Sequence, residues 1–205
     1  LHLKNTQVTD AGLIHLKELA NLFELDLSGN QISDAGLVHL KALSKLYWLR
    51  LEKTQVRDAG LIHLRKLPNL KIIDLRDTPF SDAGLIHLKE LINLQALDLP
   101  GTQVSDAGLF HLKDISKLKY LNLNTTQVTD AGLVHLNELT KLERIYLSGT
   151  QITDAGLIHL HGVTNLRVLM LDDTQVTAAG VAQLQAILPN CEIIYSEDVP
   201  TPETE

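Results

Sequence analysis

The sequence is poor in the residues that carry chemistry. Its 205 residues include one cysteine, one tryptophan and one methionine, and only 4% are aromatic. A lone Cys191 cannot close a disulfide within the chain, and it rules out a cysteine-based zinc cage. No apolar run approaches the ~20 residues of a membrane-spanning helix, so no membrane insertion is expected. A basic stretch is also missing. The net charge is −7, and Glu192, Glu197, Asp198, Glu203 and Glu205 supply five of those charges with no Lys or Arg among them, leaving −2 for the rest. A nearly neutral body offers nucleic acid no electrostatic footprint. No signal peptide is visible. The chain opens in mid-pattern at Leu1-His2-Leu3, as a piece with sequence before it would, and its compartment is open between cytoplasm and exterior. The remaining composition, 44% hydrophobic and 21% charged, suits a folded chain with a continuous core.

What the sequence does have is a period. TQVTDAGLIHL at residues 6 to 16 returns in near copies every 24 residues, at 30, 54, 78, 102, 126, 150 and 174. A period between 20 and 50 residues decides the fold before any other feature. In the unit from Leu22 to Leu46, Leu25 and Leu27 alternate as in a strand. Leu37, Leu40 and Leu43 then recur at helical spacing. Each unit therefore predicts one short strand and one helix of about ten residues. Neither element can bury its apolar face alone, but a stack of units can. Strands at ~4.8 Å spacing and helices at ~8–10 Å would bend the stack, with the sheet concave.

The pattern L-x-x-L-x-L-x-x-N/T-x-L resembles the leucine-rich repeat family. Its D-A-G-L-x-x-L half is similar to bacterial members and, more loosely, to the ribonuclease-inhibitor-like subclass. The resemblance covers about residues 1 to 188. It implies an α/β solenoid: a right-handed β-α superhelix, or horseshoe, with a parallel concave sheet and short convex helices. It also implies a non-catalytic scaffold that binds a protein partner.

The repeated positions read as scaffold. Thr6 and its equivalents, with Asn30 in the second unit, tie down turn backbone. The T/S-D pair reads as a helix N-cap, with the Asp favoured by the positive helix end. Gly12 recurs in all eight units although glycine costs ~1 kcal/mol in a helix, which points to close approach of the next coil. Four further glycines, Gly29, Gly101, Gly149 and Gly162, read as isolated, and no phosphate-binding glycine motif can be assembled. His15, His39, His63, His87, His111, His135 and His159 form a row, one per helix. At ~8–10 Å apart they are too distant to share a zinc ion, so no metal or other cofactor is expected.

Function is expected where the repeats differ. On the open face of the strands the columns read Glu24, Trp48, Ile72, Ala96, Tyr120, Arg144, Val168, then Asp26, Arg50, Asp74, Asp98, Asn122, Tyr146, Met170. A third begins with Lys4, Ser28, Glu52 and Arg76. Trp, Tyr and Arg dominate interface energies. The candidate binding surface is Trp48, Arg50, Glu52, Ile72, Asp74, Arg76, Asp98, Tyr120, Asn122 and Tyr146. Asp74 and Asp98 fall on adjacent strands at ~5 Å, the separation of a retaining glycosidase pair. Arg50 and Arg76 flank Asp74 and favour its carboxylate, and nothing encloses the site, so catalysis is not expected. The alternatives to a protein-binding scaffold are a glycan- or cell-wall-binding ectodomain and a structural spacer.

The ends differ from the middle. Ala178 and Gln183 break the last unit, and Cys191 falls where a Leu is due. Residues 1–195 read as one domain capped by a last strand near Glu192, and 196–205 as an acidic disordered tail. No comparable cap precedes Leu1, so the first strand is an open edge where the chain could self-associate.

Overall fold

The structure is a computed structural model, which describes residues 1–196. Eight strands form one sheet in chain order: β1 (Glu24–Asp26), β2 (Trp48–Arg50), β3 (Ile72–Asp74), β4 (Ala96–Asp98), β5 (Tyr120–Asn122), β6 (Arg144–Tyr146), β7 (Val168–Met170) and β8 (Glu192–Ile194). All pairs are parallel, and each residue faces its equivalent 24 positions on, as Leu97 faces Leu121. Residues 1–5 extend the sheet at its start. Leu3 N donates to Asp26 O at 2.8 Å and Asn5 N to Ser28 O at 2.9 Å.

Inward leucines from both walls form one continuous core. Leu25, Leu49, Leu97 and Leu121 are at most 1% exposed. Leu99, in the middle of the stack, is fully buried. The phase read from the sequence therefore holds.

The helical wall departs from the expectation of ten-residue α-helices. In the first and third units it is a 3₁₀ helix, Asp10–Glu18 and Asp58–Lys66. In five others a single α-turn, such as Asp106–Leu109, runs directly into 3₁₀. Only Ala178–Ile187 is a regular α-helix of the expected length. The 3₁₀ helix is narrower, which suits a wall whose elements must keep pace with closely spaced strands.

The T/S-D pair also works differently from a simple cap. Ser33, Thr129 and Thr153 do accept from the backbone of their own helices. The aspartates instead reach the next coil. Asp106 Oδ1 accepts from Thr129 N at 2.8 Å, and Asp106 Oδ2 from Thr129 Oγ1 at 2.6 Å. The same pair of bonds joins Asp10 to Ser33, Asp58 to Ser81, Asp82 to Ser105, Asp130 to Thr153 and Asp154 to Thr177. Arg57 lacks the hydroxyl, and only its N–H bonds to Asp34, at 2.6 Å. The repeated glycine makes room for this latch: a Cβ on Gly132 would lie 2.4 Å from Asp106 Oδ1.

The turn after each strand corrects a second reading. Gly29, Gly101 and Gly149 are not isolated. They share one position with Asn5, Lys53, Asp77, Thr125 and Asp173, all at φ between 53° and 68°. That left-handed conformation favours glycine and, next, Asn or Asp. The following Thr makes the single bond expected of it, as Thr102 Oγ1 donates to Leu99 O at 2.6 Å. Asn30 does more, accepting from Thr6 N and Val8 N and donating to Leu3 O and Leu27 O.

Cys191 fills its expected apolar slot at 3% exposure, and burial, with Glu192 adding to it, pushes its thiol pKa up to about 11. The Ser196 hydroxyl accepts from Asp173 N at 2.9 Å. The remainder of the expected acidic tail lies outside the described residues.

Candidate functional site

The ten candidate residues lie on or beside the open face of β2 to β6, and their side chains are not free-standing. They divide into two clusters. At β2, the Arg50 guanidinium lies 3.7 Å from the Trp48 ring centroid and pairs with Asp26 at 3.3 Å. Arg50 therefore turns away from Asp74, contrary to the flanking role expected of it. Burial pushes the Asp26 pKa up, but hydrogen bonds from Ser28 and Arg50 and the charge of Arg50 outweigh it and hold the carboxyl below its usual value. The indole Nε1 of Trp48 is buried and has no hydrogen-bond partner among the described residues. Glu52 accepts from Lys4 and lies 3.3 Å from Lys53. Its pKa is lowered because those two lysines outweigh the effect of its burial.

The second cluster spans β3 to β6. Arg76 Nε donates to both oxygens of Asp74, at 2.9 and 3.0 Å, and Arg76 Nη2 stands 3.5 Å from Asp98. Asp98 accepts from Tyr120 Oη at 2.9 Å and from Asn122 Nδ2 at 3.0 Å. The rings of Tyr120 and Tyr146 meet edge to face at 5.2 Å. Burial raises the pKa of Asp98, the charge of Asp74 adds to the rise, and its hydrogen bonds and Arg76 offset only part of it. Tyr120 is also pushed up, by burial first and then by Asp98. Ile72 and Ala96 lie half-buried between the two clusters.

The middle column is sunk into the face. Asp26, Asp74, Asp98 and Asn122 are 6–8% exposed. What the face presents outward is Trp48, Arg50, Ile72, Arg76, Tyr120, Arg144 and Tyr146. Asp74 and Asp98 do sit opposite each other in register. Arg76 bridges them, and Asp98 is already committed to Tyr120 and Asn122.

Sequence reasoning missed the position just before each strand. There Phe23 stacks on Tyr47 with centroids 4.6 Å apart, and Lys71 lies 5.0 Å above the Tyr47 ring. Phe23 is 53% exposed. The signal was available, since residues 23, 47 and 71 are 24 apart and do not repeat. On the helical wall, Ile14, Ile62, Ile86, Phe110, Val134 and Ile158 form an exposed apolar column. Phe110 packs edge-on against His111 and His135, with Lys113 3.9 Å above its ring. Among the described residues no three His, Cys, Asp or Glu side chains converge on a point, and no helix is long and apolar enough to cross a membrane.

A family model described as "Leucine Rich repeat" matches residues 18–41, 66–89, 115–136 and 138–160. No curated protein sequence matches the chain. Among solved structures, an internalin C2 of Listeria monocytogenes is 29% identical with a TM-score of 0.77, covering 96% of this chain and 80% of that one. Another internalin of Listeria monocytogenes is 26% identical with a TM-score of 0.75. That match covers 92% of this chain but only 51% of the other, so this chain spans about half that relative's length. A Leptospira interrogans leucine-rich repeat protein, at 21% identity and a TM-score of 0.66 over 88% of this chain and 50% of that one, shares the fold. The 24-residue period, the single parallel sheet with its short helical wall and these matches agree: the chain folds as a leucine-rich repeat solenoid, and four of its segments match the leucine-rich repeat model.

Proposed function

We propose that this chain is a non-catalytic scaffold that binds a protein partner through the concave face of its sheet. Leucine-rich repeat proteins generally mediate protein–protein interaction, and that much comes with the family. One observation carries the finer reading. A chain with 4% aromatic residues places its only Trp and two of its four Tyr on one face, interleaved with Arg50 and Arg76. The columns holding them do not repeat, as a spacer's would. Trp, Tyr and Arg are the residue types that supply most interface energy. Their internal bonds hold them in place before binding, which lowers the entropy a partner must overcome.

The test is capture of a partner from the native host, followed by calorimetry of variants. Trp48→Ala and Tyr146→Ala should each weaken binding by ~2 kcal/mol or more, about thirtyfold. Tyr120→Phe should be milder, because it keeps the ring and removes only the bond to Asp98. Lys17→Ala and Lys89→Ala, on the helical wall, should leave affinity unchanged. If the helical-wall variants abolish binding and the sheet-face variants do not, the assignment fails.

A further inference from the structure

Beside the starts of β5, β6 and β7 the surface sinks into two adjoining depressions of about 360 and 450 Å³. Lys119, Lys141, Glu143, Asn165 and Arg167 line the first, and the second shares Asn165 and Arg167. Arg144, the first residue of β6, is exposed beside Glu143. The backbone fixes these positions: Glu143 N donates to Lys119 O and Arg167 N to Glu143 O, both at 2.8 Å.

The charge here is not that of the whole molecule. The chain carries −7, yet this flank gathers four cations around one carboxylate. Glu143 is matched by Lys119 at 2.7 Å, and that hydrogen bond, with the nearby charges of Lys119, Arg167 and Arg144, holds its pKa below the usual value. Among the described residues, Lys141, Arg144 and Arg167 have no carboxylate within ion-pair distance. Three cations with no close carboxylate among the described residues therefore stand over a polar groove.

The structure assigns this groove to an acidic polypeptide segment, whose carboxylates would pair with Lys141, Arg144 and Arg167. The assignment rests on the protein-binding reading only in taking the ligand to be a polypeptide. Arg offers a planar fork that carboxylates meet in two bonds. Glu143 in the middle of the groove repels a continuous polyanion such as nucleic acid or a sulfated glycan. A peptide can set a hydroxyl or an amide against it. The groove adjoins the concave face through β6, which carries both Arg144 and Tyr146.

The test uses the whole chain and a fluorescein-labelled hexapeptide of alternating Glu and Ser, followed by fluorescence polarisation at low ionic strength. The wild type should bind, and binding should weaken as salt is raised. Lys141→Glu with Arg167→Glu should weaken it at least ~10-fold, as expected when a complementary patch becomes like-charged. Lys17→Ala, on the helical wall of the first coil, should leave it unchanged. Circular dichroism checks that the charge-reversed chain is folded, and Lys141→Ala with Arg167→Ala replaces it if it is not. The assignment is overturned if the Glu-Ser peptide does not bind, or binds the reversed variant equally well. It is also overturned if heparin or an oligothymidylate binds more tightly at matched charge and is lost in the same variant, which would make the groove a general polyanion site. None of these failures touches the concave-face reading, which is tested with the captured partner and Trp48→Ala.

Discussion

The first coil and the interior coils carry nearly the same eleven residues, but those residues do different work in the two places. In the interior, Gly108 faces Asp82 of the coil before it, and an added Cβ would lie 2.3 Å from a carboxylate oxygen. Gly12, in the first coil, has no such neighbour, and its added Cβ would meet only a Val8 methyl group at 3.5 Å. The other end mirrors this. Ala178 holds the Asp position of the last helix, so that helix has no carboxylate to reach onward. Thr177 keeps its own half of the latch, accepted by Asp154. The repeated D-A-G is therefore a property of the junction between coils rather than of the coil itself.

Substitutions in matched positions should separate the two regions. The largest effect is expected in the core. Leu99→Ala should cost ~2–5 kcal/mol by denaturant unfolding, as other deep leucine truncations do. Leu3→Ala, at the matching face of the first coil where the side chain is only half-buried, should cost clearly less. Equal costs would mean the first coil packs as tightly as the middle.

Next comes the glycine pair. Gly108→Ala should destabilise by ~1–3 kcal/mol, the usual cost of forcing a group into a filled space. Gly12→Ala should be neutral or stabilise by up to ~1 kcal/mol, because alanine is the better helix former. Thr125→Gly should stabilise by ~1 kcal/mol. It relieves a β-branched residue at φ 53°, in a turn position where three other coils already use glycine. Unchanged melting temperatures would show that the turn strain is absorbed elsewhere.

The smallest effect concerns pH. The folded pKa of Asp98 is raised, so between the ordinary carboxylate value and the folded value the native state binds more protons than the unfolded one. The contribution of Asp98 to stability is present at low pH and is lost as pH rises through the folded value. Asp98→Asn should therefore gain melting temperature relative to wild type as pH rises from acidic to neutral. A difference between the two proteins that stays constant across that range would contradict the assignment.

Much of the fold was legible, because a strict period states the same strand phase eight times. Leu25, Leu27, Leu37 and Leu40 are buried as their spacing predicts. The helix type was not legible. The same spacing of Leu37, Leu40 and Leu43 serves α and 3₁₀ turns alike, and only the packing of coil on coil selects the tighter one. The role of Asp106 was hidden for a related reason. A helix-start Asp looks like a cap, and its true partner, Thr129, lies 23 residues away in the sequence. At the candidate site, alternation gave the side of the sheet to which these columns belong. It did not reveal that Arg50 would pair with Asp26 rather than Asp74, since Arg50 faces both in register. Nor did it count the position before each strand, where chain alternation breaks down and both Phe23 and Arg167 are exposed.

The claim that the repeated Asp joins coils rather than capping its own helix is tested most directly by a double-mutant cycle on Asp106→Ala and Thr129→Val. Stabilities of the wild type, both single variants and the double variant would be read from denaturant unfolding. If Asp106 and Thr129 bind each other across the junction, the second change should cost much less once the first is made, leaving a coupling of ~0.5–3 kcal/mol. If each residue only caps its own helix, the two costs will add within ~0.5 kcal/mol, and the latch will have no energetic standing.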